Sequence, residues 1–284
     1  MSTNQSQYVG VFDSGVGGLS VLREIHRLIP QIPLFFIADQ AHVPYGKRQL
    51  DEIRSFSLAI SRFLLSKGAR LIVAACNTAS AAALSALRET LPETPFVGME
   101  PAVKPATRQT DNGIVGVLAT PATFQGRMYS TLVERFAQNV RLLTNTLPGL
   151  VEAVERGELD SPATRSILEN AIKPMLAQGA DTLVLGCTHF PFVLPLIREI
   201  AGPDVKVIDP APAIARRTAY LLEQSNISFA AGAEVQPVFA TTGDSAQFRN
   251  AIHNLLKIET EPIQLAWNET ADQLTEMRKQ TCQN

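Results

Sequence analysis

Two cysteines occupy matching places in this sequence. Cys76 follows the apolar run LIVAA and opens CNTAS, and Cys187 follows TLVLG and opens CTHFP. Each reads as a residue just after a buried strand and just before a helix. A thiol there meets backbone N–H donors and the positive end of a helix dipole, and both favour thiolate. One buried cysteine at a strand end is ordinary packing material; two at equivalent ends are much less so. A pair of like acid–base groups suits one reaction in particular, inversion of a stereocentre by proton transfer. One group removes a proton from one face of a carbon and the other returns a proton to the opposite face. Each must act as base in one direction and acid in the other. The Cα–H of an amino acid is weakly acidic. Donors around the substrate carboxylate and a dry, closed cleft would have to stabilise the developing charge.

The same residues admit other uses. Cys76, Cys187 and His189 are all metal-ligand types, but zinc ligands usually come in local pairs such as C-x₂-C, and a Cys187–His189 pair is too close for that habit. No metal is expected. A redox dithiol would need unusual closure, because there is no C-x-x-C and the two thiols belong to separate parts of the chain. The third cysteine, Cys282, lies close to the end of the sequence and reads as a bystander. The turn DSGVGG (13–18) offers backbone N–H groups to an anion. It matches neither G-x-G-x-x-G nor a P-loop, and a tight capped turn also accounts for it.

Short apolar runs position these residues, and they alternate with helical patterns almost from end to end. Strands are expected at 8–12, 34–38, 71–75 and 96–99, then at 114–118, 140–144, 182–185, 205–208 and 238–240. Helical patterns fall between them. Continuous apolar strands separated by helices imply parallel sheets covered on both faces, with ligands at the carboxyl ends of the strands. A duplication is visible. VGVFDS (9–14) resembles VGVLAT (115–120), and LIVAACNT (71–78) resembles TLVLGCT (182–188). The offsets, 106 for the first pair and 111 between the two cysteines, nearly agree. The expected fold is therefore α/β, with two pseudo-symmetric open parallel-sheet domains and a site in the cleft between them. The stretch from about 211 has no counterpart in the first half, so it should complete one half. This gives a discontinuous first domain, 1–100 plus 211–284, carrying Cys76, and a second domain, 101–210, carrying Cys187.

Composition narrows the partners. The chain has 284 residues, 45% of them hydrophobic and 18% charged, which implies a large interior and makes a homodimer the expected assembly. Lys plus Arg number 25 against 27 Asp plus Glu, so there is no basic footprint for nucleic acid. No apolar run suits a membrane span, and the first eight residues lack the pattern of a secretory leader, so a cytoplasmic protein is expected.

Further polar residues stand near the expected strand ends: Asp13 and Ser14, Asp39, the loop Pro44, Tyr45 and Gly46, then Asn77, Thr78, Thr120, Thr123, Glu152 and Thr188. Taken singly, capping or a surface role explains each as well as catalysis does. His26 and His253 fall within helical patterns and read as structural or solvent-facing; His42 lies in a loop.

Taken together, FDSGVGGLS (12–20), PYG (44–46), CNTAS (76–80) and GCTHFP (186–191), with TTGD at 241–244, closely resemble glutamate racemase. The resemblance runs from residue 9 to about 258. It implies a bacterial cytoplasmic isomerase that interconverts L- and D-glutamate with no cofactor and supplies D-glutamate for peptidoglycan. It implies that Cys76 takes the proton from D-glutamate and Cys187 from L-glutamate. It places Asp13 and Asp39 in support of Cys76, and Glu152 and His189 in support of Cys187. Ser14, Pro44, Tyr45, Gly46, Asn77, Thr78, Thr120, Thr123 and Thr188 would hold the substrate, together with Asp13. One departure is that Ala119 and Pro121 flank Thr120, where the family often has Gly before the threonine. The competing readings are a racemase of another acidic amino acid, such as aspartate, and a binding protein whose cysteines merely pack.

Overall fold

The computed structural model describes residues 7–277 apart from 228, 230 and 231. Cys282 therefore lies outside the described residues. In the first part of the chain, strands β1 (Tyr8–Asp13), β2 (Leu34–Ala38), β3 (Ala69–Ala74) and β4 (Phe96–Gly98) alternate with helices α1 (Leu19–Leu28), α2 (Leu50–Ser66) and α3 (Asn77–Thr90). After α4 (Val103–Gln109) come β5 (Ile114–Ala119), α5 (Pro121–Gln125), α6 (Arg127–Phe136), β6 (Arg141–Asn145), α7 (Leu150–Glu155), α8 (Pro162–Ala177), β7 (Thr182–Gly186), α9 (Leu194–Ala201) and β8 (Lys206–Ile208). The chain closes with α10 (Ala211–Gln224), β9 (Val238–Thr241), α11 (Ser245–Leu256), β10 (Ile263–Trp267) and β11 (Leu274–Glu276).

Two sheets result. The larger has the order β11-β10-β9-β2-β1-β3-β4, and the smaller has the order β6-β5-β7-β8. The run β2-β1-β3-β4 repeats as β6-β5-β7-β8, parallel throughout, so the duplication legible in sequence is a duplication of topology. In each sheet the chain leaves the central strand toward one neighbour and later returns to its other side. The crevice at such a reversal is where open α/β sheets bind ligands. β1 and β3 border it in the first sheet, β5 and β7 in the second. Asp13 ends β1, Cys76 follows β3, Thr120 follows β5 and Cys187 follows β7.

All the strands expected from the sequence are present. The helix expected at 123–137 is two helices, α5 and α6, because Gly126 adopts an extended conformation between them. Two strands, β10 and β11, are additional. β10 is parallel to β9, and β11 is antiparallel to β10. Leu265 is the one buried residue of β10 and Leu274 the one buried residue of β11, so neither shows the alternation that marks a strand. Pairing makes them strands, β10 with β9 and β11 with β10.

Strands β9, β10 and β11 of the C-terminal stretch extend the larger sheet beyond β2. α10 packs on α1. Phe36 of β2 is fully buried, with its ring 6.4 Å from Phe239 of β9 and 6.2 Å from Phe248 of α11. Removing that ring leaves a cavity beneath the added segment. Phe36→Ala should therefore cost about 3–5 kcal/mol in urea unfolding. A loss under about 1 kcal/mol would mean that the C-terminal stretch does not depend on this core.

Candidate active site

The site begins with two carboxylates, Asp13 fully buried and Glu155 largely so. Asp13 Oδ1 accepts from the Ser14 N–H at 2.7 Å and from the Ser14 hydroxyl at 3.3 Å. Its Oδ2 accepts from the Gly18 N–H and, across the cleft, from the Thr188 hydroxyl at 3.0 Å. Glu155, at the last turn of α7, accepts from His189 Nε2 at 2.6 Å and from the Val16 N–H at 2.8 Å through Oε1; its Oε2 accepts from Gln40 Nε2 at 3.1 Å. The glycine-rich turn therefore does bind anions, but they are the protein's own carboxylates. Its glycines serve close approach of the second sheet. A Cβ at Gly17 would sit 2.6 Å from both Thr188 Oγ1 and His189 Cε1, and one at Gly15 would lie 2.7 Å from Glu155 Cδ.

Cys76 caps α3, and its sulfur accepts from the Ala79 N–H at 3.4 Å and lies 3.9 Å from Ser14 Oγ. Position alone predicts thiolate here. The structure reverses that expectation: burial and the adjacent Asp13 charge push the Cys76 thiol well above its ordinary value, and the Ala79 N–H offsets little of this. Burial also raises Asp13, against the opposing pull of His189 and the hydrogen bonds it accepts. The Cys187 sulfur lies 3.7 Å from His189 Nδ1. Burial alone would lower His189, but its hydrogen bonds to Cys187 and Glu155 outweigh this and raise it well above 6.5. His189 is thus a charged donor between a sulfur and a carboxylate.

Around the thiols, Thr120 Oγ1 lies 2.8 Å from Thr78 Oγ1 and 2.9 Å from Thr123 Oγ1, joining α3 to α5 across the cleft. Thr120 N-caps α5 with Pro121 at its first turn, so the Ala119–Pro121 departure leaves a well-formed helix start. The buried Asn77 amide has no partner on Nδ2 or Oδ1 among the described residues. Ser14, Thr78, Thr120, Thr123, Thr188 and His189 are buried here as well. Gly46 sits against Thr120, where an added Cβ would lie 2.9 Å from Thr120 Cβ. Pro44 precedes a short turn, Tyr45–Lys47, in which Tyr45 is buried.

Two expected supports are placed differently. Glu152 does not reach His189. It is partly exposed, pairs with Lys47 Nζ, and is held low by that bond against the effect of burial. The carboxylate on His189 is Glu155, one turn further on, and it is held low although burial opposes this. Glu152 has a sufficient local reason to exist, since an acid in the first turn of a helix is favoured by the dipole. Glu155 ends the same helix, where an acid is disfavoured. That local conflict was the signal for a distant partner. Asp39 forms no hydrogen bond with Cys76 among the described residues; its oxygens are occupied elsewhere. His26 and His253 pair with Glu234 and Glu259 away from the cleft, as expected. Among the described residues, no helix is long and apolar enough to cross a membrane.

The family model of Asp/Glu/Hydantoin racemases matches residues 9–218, which carry both cysteines, Asp13, Glu155 and His189. The chain belongs to that family. It is an isomerase of the amino-acid racemase class. It is similar to the glutamate racemase of Roseiflexus sp. (strain RS-1), at 48% identity over 90% of this chain and 94% of that one. It is also similar to the glutamate racemase of Ectopseudomonas mendocina (strain ymp), at 52% identity over 79% of this chain and 86% of that one. In structure it resembles Escherichia coli glutamate racemase in complex with L-glutamate and the activator UDP-MurNAc-Ala. There the TM-score is 0.81 and the identity 32%, over 96% of this chain and all of that one. The two-domain fold is that of these enzymes.

The two glutamates separate cleanly by experiment. Glu155→Gln should bring the His189 imidazole down toward 6.5 in an NMR titration, while Glu152→Gln, which removes a charge but no hydrogen bond to His189, should lower it much less. A raised histidine stabilises the fold fully below its unfolded pKa, and this contribution is lost as pH climbs through the folded one. The stability difference between native protein and Glu155→Gln should therefore narrow above pH 6.5. Equal His189 titrations in both variants would contradict the assignment of Glu155.

Proposed function

We propose that this chain interconverts L- and D-glutamate by moving a proton between substrate Cα and the two thiols, Cys76 and Cys187, with no cofactor. The observation that carries this reading is the placement of one thiol at the same point of each of two equivalent sheets, with a different acid–base partner beside each.

Starting from L-glutamate, the Cys187 sulfur takes the Cα proton and the electron pair stays on the substrate, spread into its carboxylate. The Cys76 thiol then gives its own proton to the opposite face of Cα, leaving Cys76 as thiolate and the product as D-glutamate. The reverse reaction exchanges the roles. The high Cys76 value suits a group that must arrive carrying a proton. His189, backed by Glu155, lies on the Cys187 sulfur, where it can donate a hydrogen bond to the sulfur as the proton moves. Asp13 acts differently beside Cys76, where its charge helps keep the thiol protonated.

The substrate's carboxylates and ammonium would be held by Ser14, Asn77, Thr78, Thr120, Thr123 and Thr188, by Asp13, and by the backbone of Pro44, Tyr45 and Gly46. The unpartnered Asn77 amide supports this, because buried polar groups in native proteins are rarely left unsatisfied. The same reading takes 1–100 plus 211–284 as one domain and 101–210 as the other, closing on the substrate between them. It has the enzyme act in the cytoplasm as a homodimer and supply D-glutamate for peptidoglycan.

Cys76→Ala and Cys187→Ala should each lower racemisation by at least about 100-fold, the lower range for a positioned acid or base. A chiral assay of D-glutamate formation checks this, and a normal rate in either variant would overturn the two-thiol reading. In the same assay glutamate should turn over faster than aspartate; the reverse order would transfer the reading to aspartate.

A further inference from the structure

Asp39 accepts four hydrogen bonds, and none of them comes from a thiol. Its side chain is completely buried. Oδ1 accepts from the Trp267 indole N–H at 2.7 Å and from the Thr242 hydroxyl at 2.7 Å. Oδ2 accepts from the Tyr45 hydroxyl at 2.7 Å and from His42 Nδ1 at 2.9 Å. A carboxylate has about four lone-pair positions, so this one has none to spare for a proton from Cys76. Tyr45 is fully buried and close enough to Cys76 and Asp13 for their charges to act on its phenol. Its hydroxyl is committed to Asp39, away from the thiol. The bond therefore fixes how the loop carrying Tyr45 and Gly46 lies against the cleft.

The other donors clamp the same loop. The His42 ring stacks on Phe56 with centroids 3.9 Å apart, and Trp267 closes the stack at 5.1 Å from His42 and 5.6 Å from Phe56. Thr242 Oγ1 also accepts from the Ala41 N–H at 3.0 Å. Trp267 arrives from β10, two strands away from β2, and lies beyond the residues matched by the family model.

We propose that Trp267 is a positioning residue of the racemase site, acting through Asp39 on Tyr45, so that strand β10 helps set substrate affinity. The proposal rests on the reading of the Tyr45–Gly46 loop as a substrate contact. Trp267 touches neither thiol and does no chemistry. Its indole N–H keeps Asp39 oriented, and Asp39 in turn keeps Tyr45 and the following backbone in place.

The test is a double-mutant cycle on the full-length protein, with racemisation of L-glutamate as the assay. Trp267→Phe keeps an aromatic ring and removes the N–H, and Tyr45→Phe removes the hydroxyl at the other end of the relay. Each should raise KM for glutamate roughly tenfold, the size expected from losing one hydrogen bond to a charged group, with kcat changed far less. Because both act through one carboxylate, the double variant should show well under the product of the two single effects. Thr242→Val, which removes the other Oδ1 donor, should reproduce the KM rise and serves in place of Trp267→Phe should that variant fail to fold. A purely structural Trp267 would lower the melting temperature and the amount of active enzyme while leaving KM unchanged. That outcome, or single effects that simply multiply, overturns the proposal. Native protein that fails to racemise glutamate at all would instead overturn the functional reading beneath it.

Discussion

Asp13 accepts hydrogen bonds from both halves of the molecule. Ser14 and Gly18 reach it from its own turn and Thr188 from the facing sheet. A buried carboxylate is tolerable only when its oxygens are satisfied. Its burial therefore makes the closed arrangement of the two sheets and the integrity of the first turn one requirement. Glu155 imposes the same requirement from the opposite side, accepting from His189 on its own half and from Val16 and Gln40 on the other. Gly15 and Gly17 follow as necessities, since a side chain at either would hold these carboxylate and imidazole partners out of reach. Between the two strand ends both thiols are buried.

The fold is nearly symmetric and the chemistry is not. Cys76 and Cys187 sit at equivalent topological points, yet one faces a carboxylate and the other an imidazole paired with a carboxylate. Desolvation with a neighbouring negative charge keeps a thiol protonated, whereas a cation beside a sulfur favours its negative form. A two-base racemase needs one thiol of each kind at any moment. The different partners give the two thiols different surroundings.

Much of this was legible in the sequence because its signals are local. Apolar runs gave the strands of both sheets, and the repeat of VGVFDS and LIVAACNT gave the two halves and the matching cysteines. The rest depended on distance. β10 and β11 bury one residue each and are strands only because β10 pairs with β9 and β11 with β10. The choice between Glu152 and Glu155 could not come from spacing, since both belong to one short helix; packing against Val16 and His189 decides it. Asp39 was correctly singled out as a strand-end acid, but its partners lie as far along the chain as Trp267. The thiolate expected for Cys76 failed for a related reason. The dipole at a helix start can be read from sequence, whereas the burial and the facing carboxylate that outweigh it cannot.

The central claim is that two different groups handle the proton on the two faces of Cα, and hydrogen isotope labelling reads this directly. L-Glutamate is incubated with the purified protein in D₂O, without added cofactor, and followed at early times by proton NMR and chiral chromatography. Two-base transfer predicts D-glutamate carrying deuterium at Cα, while the remaining L-glutamate keeps its original hydrogen. Deuterium appearing in the recovered L-glutamate as fast as in the product, or D-glutamate that retains the substrate hydrogen, would mean that a single base serves both faces and would contradict the paired-thiol site.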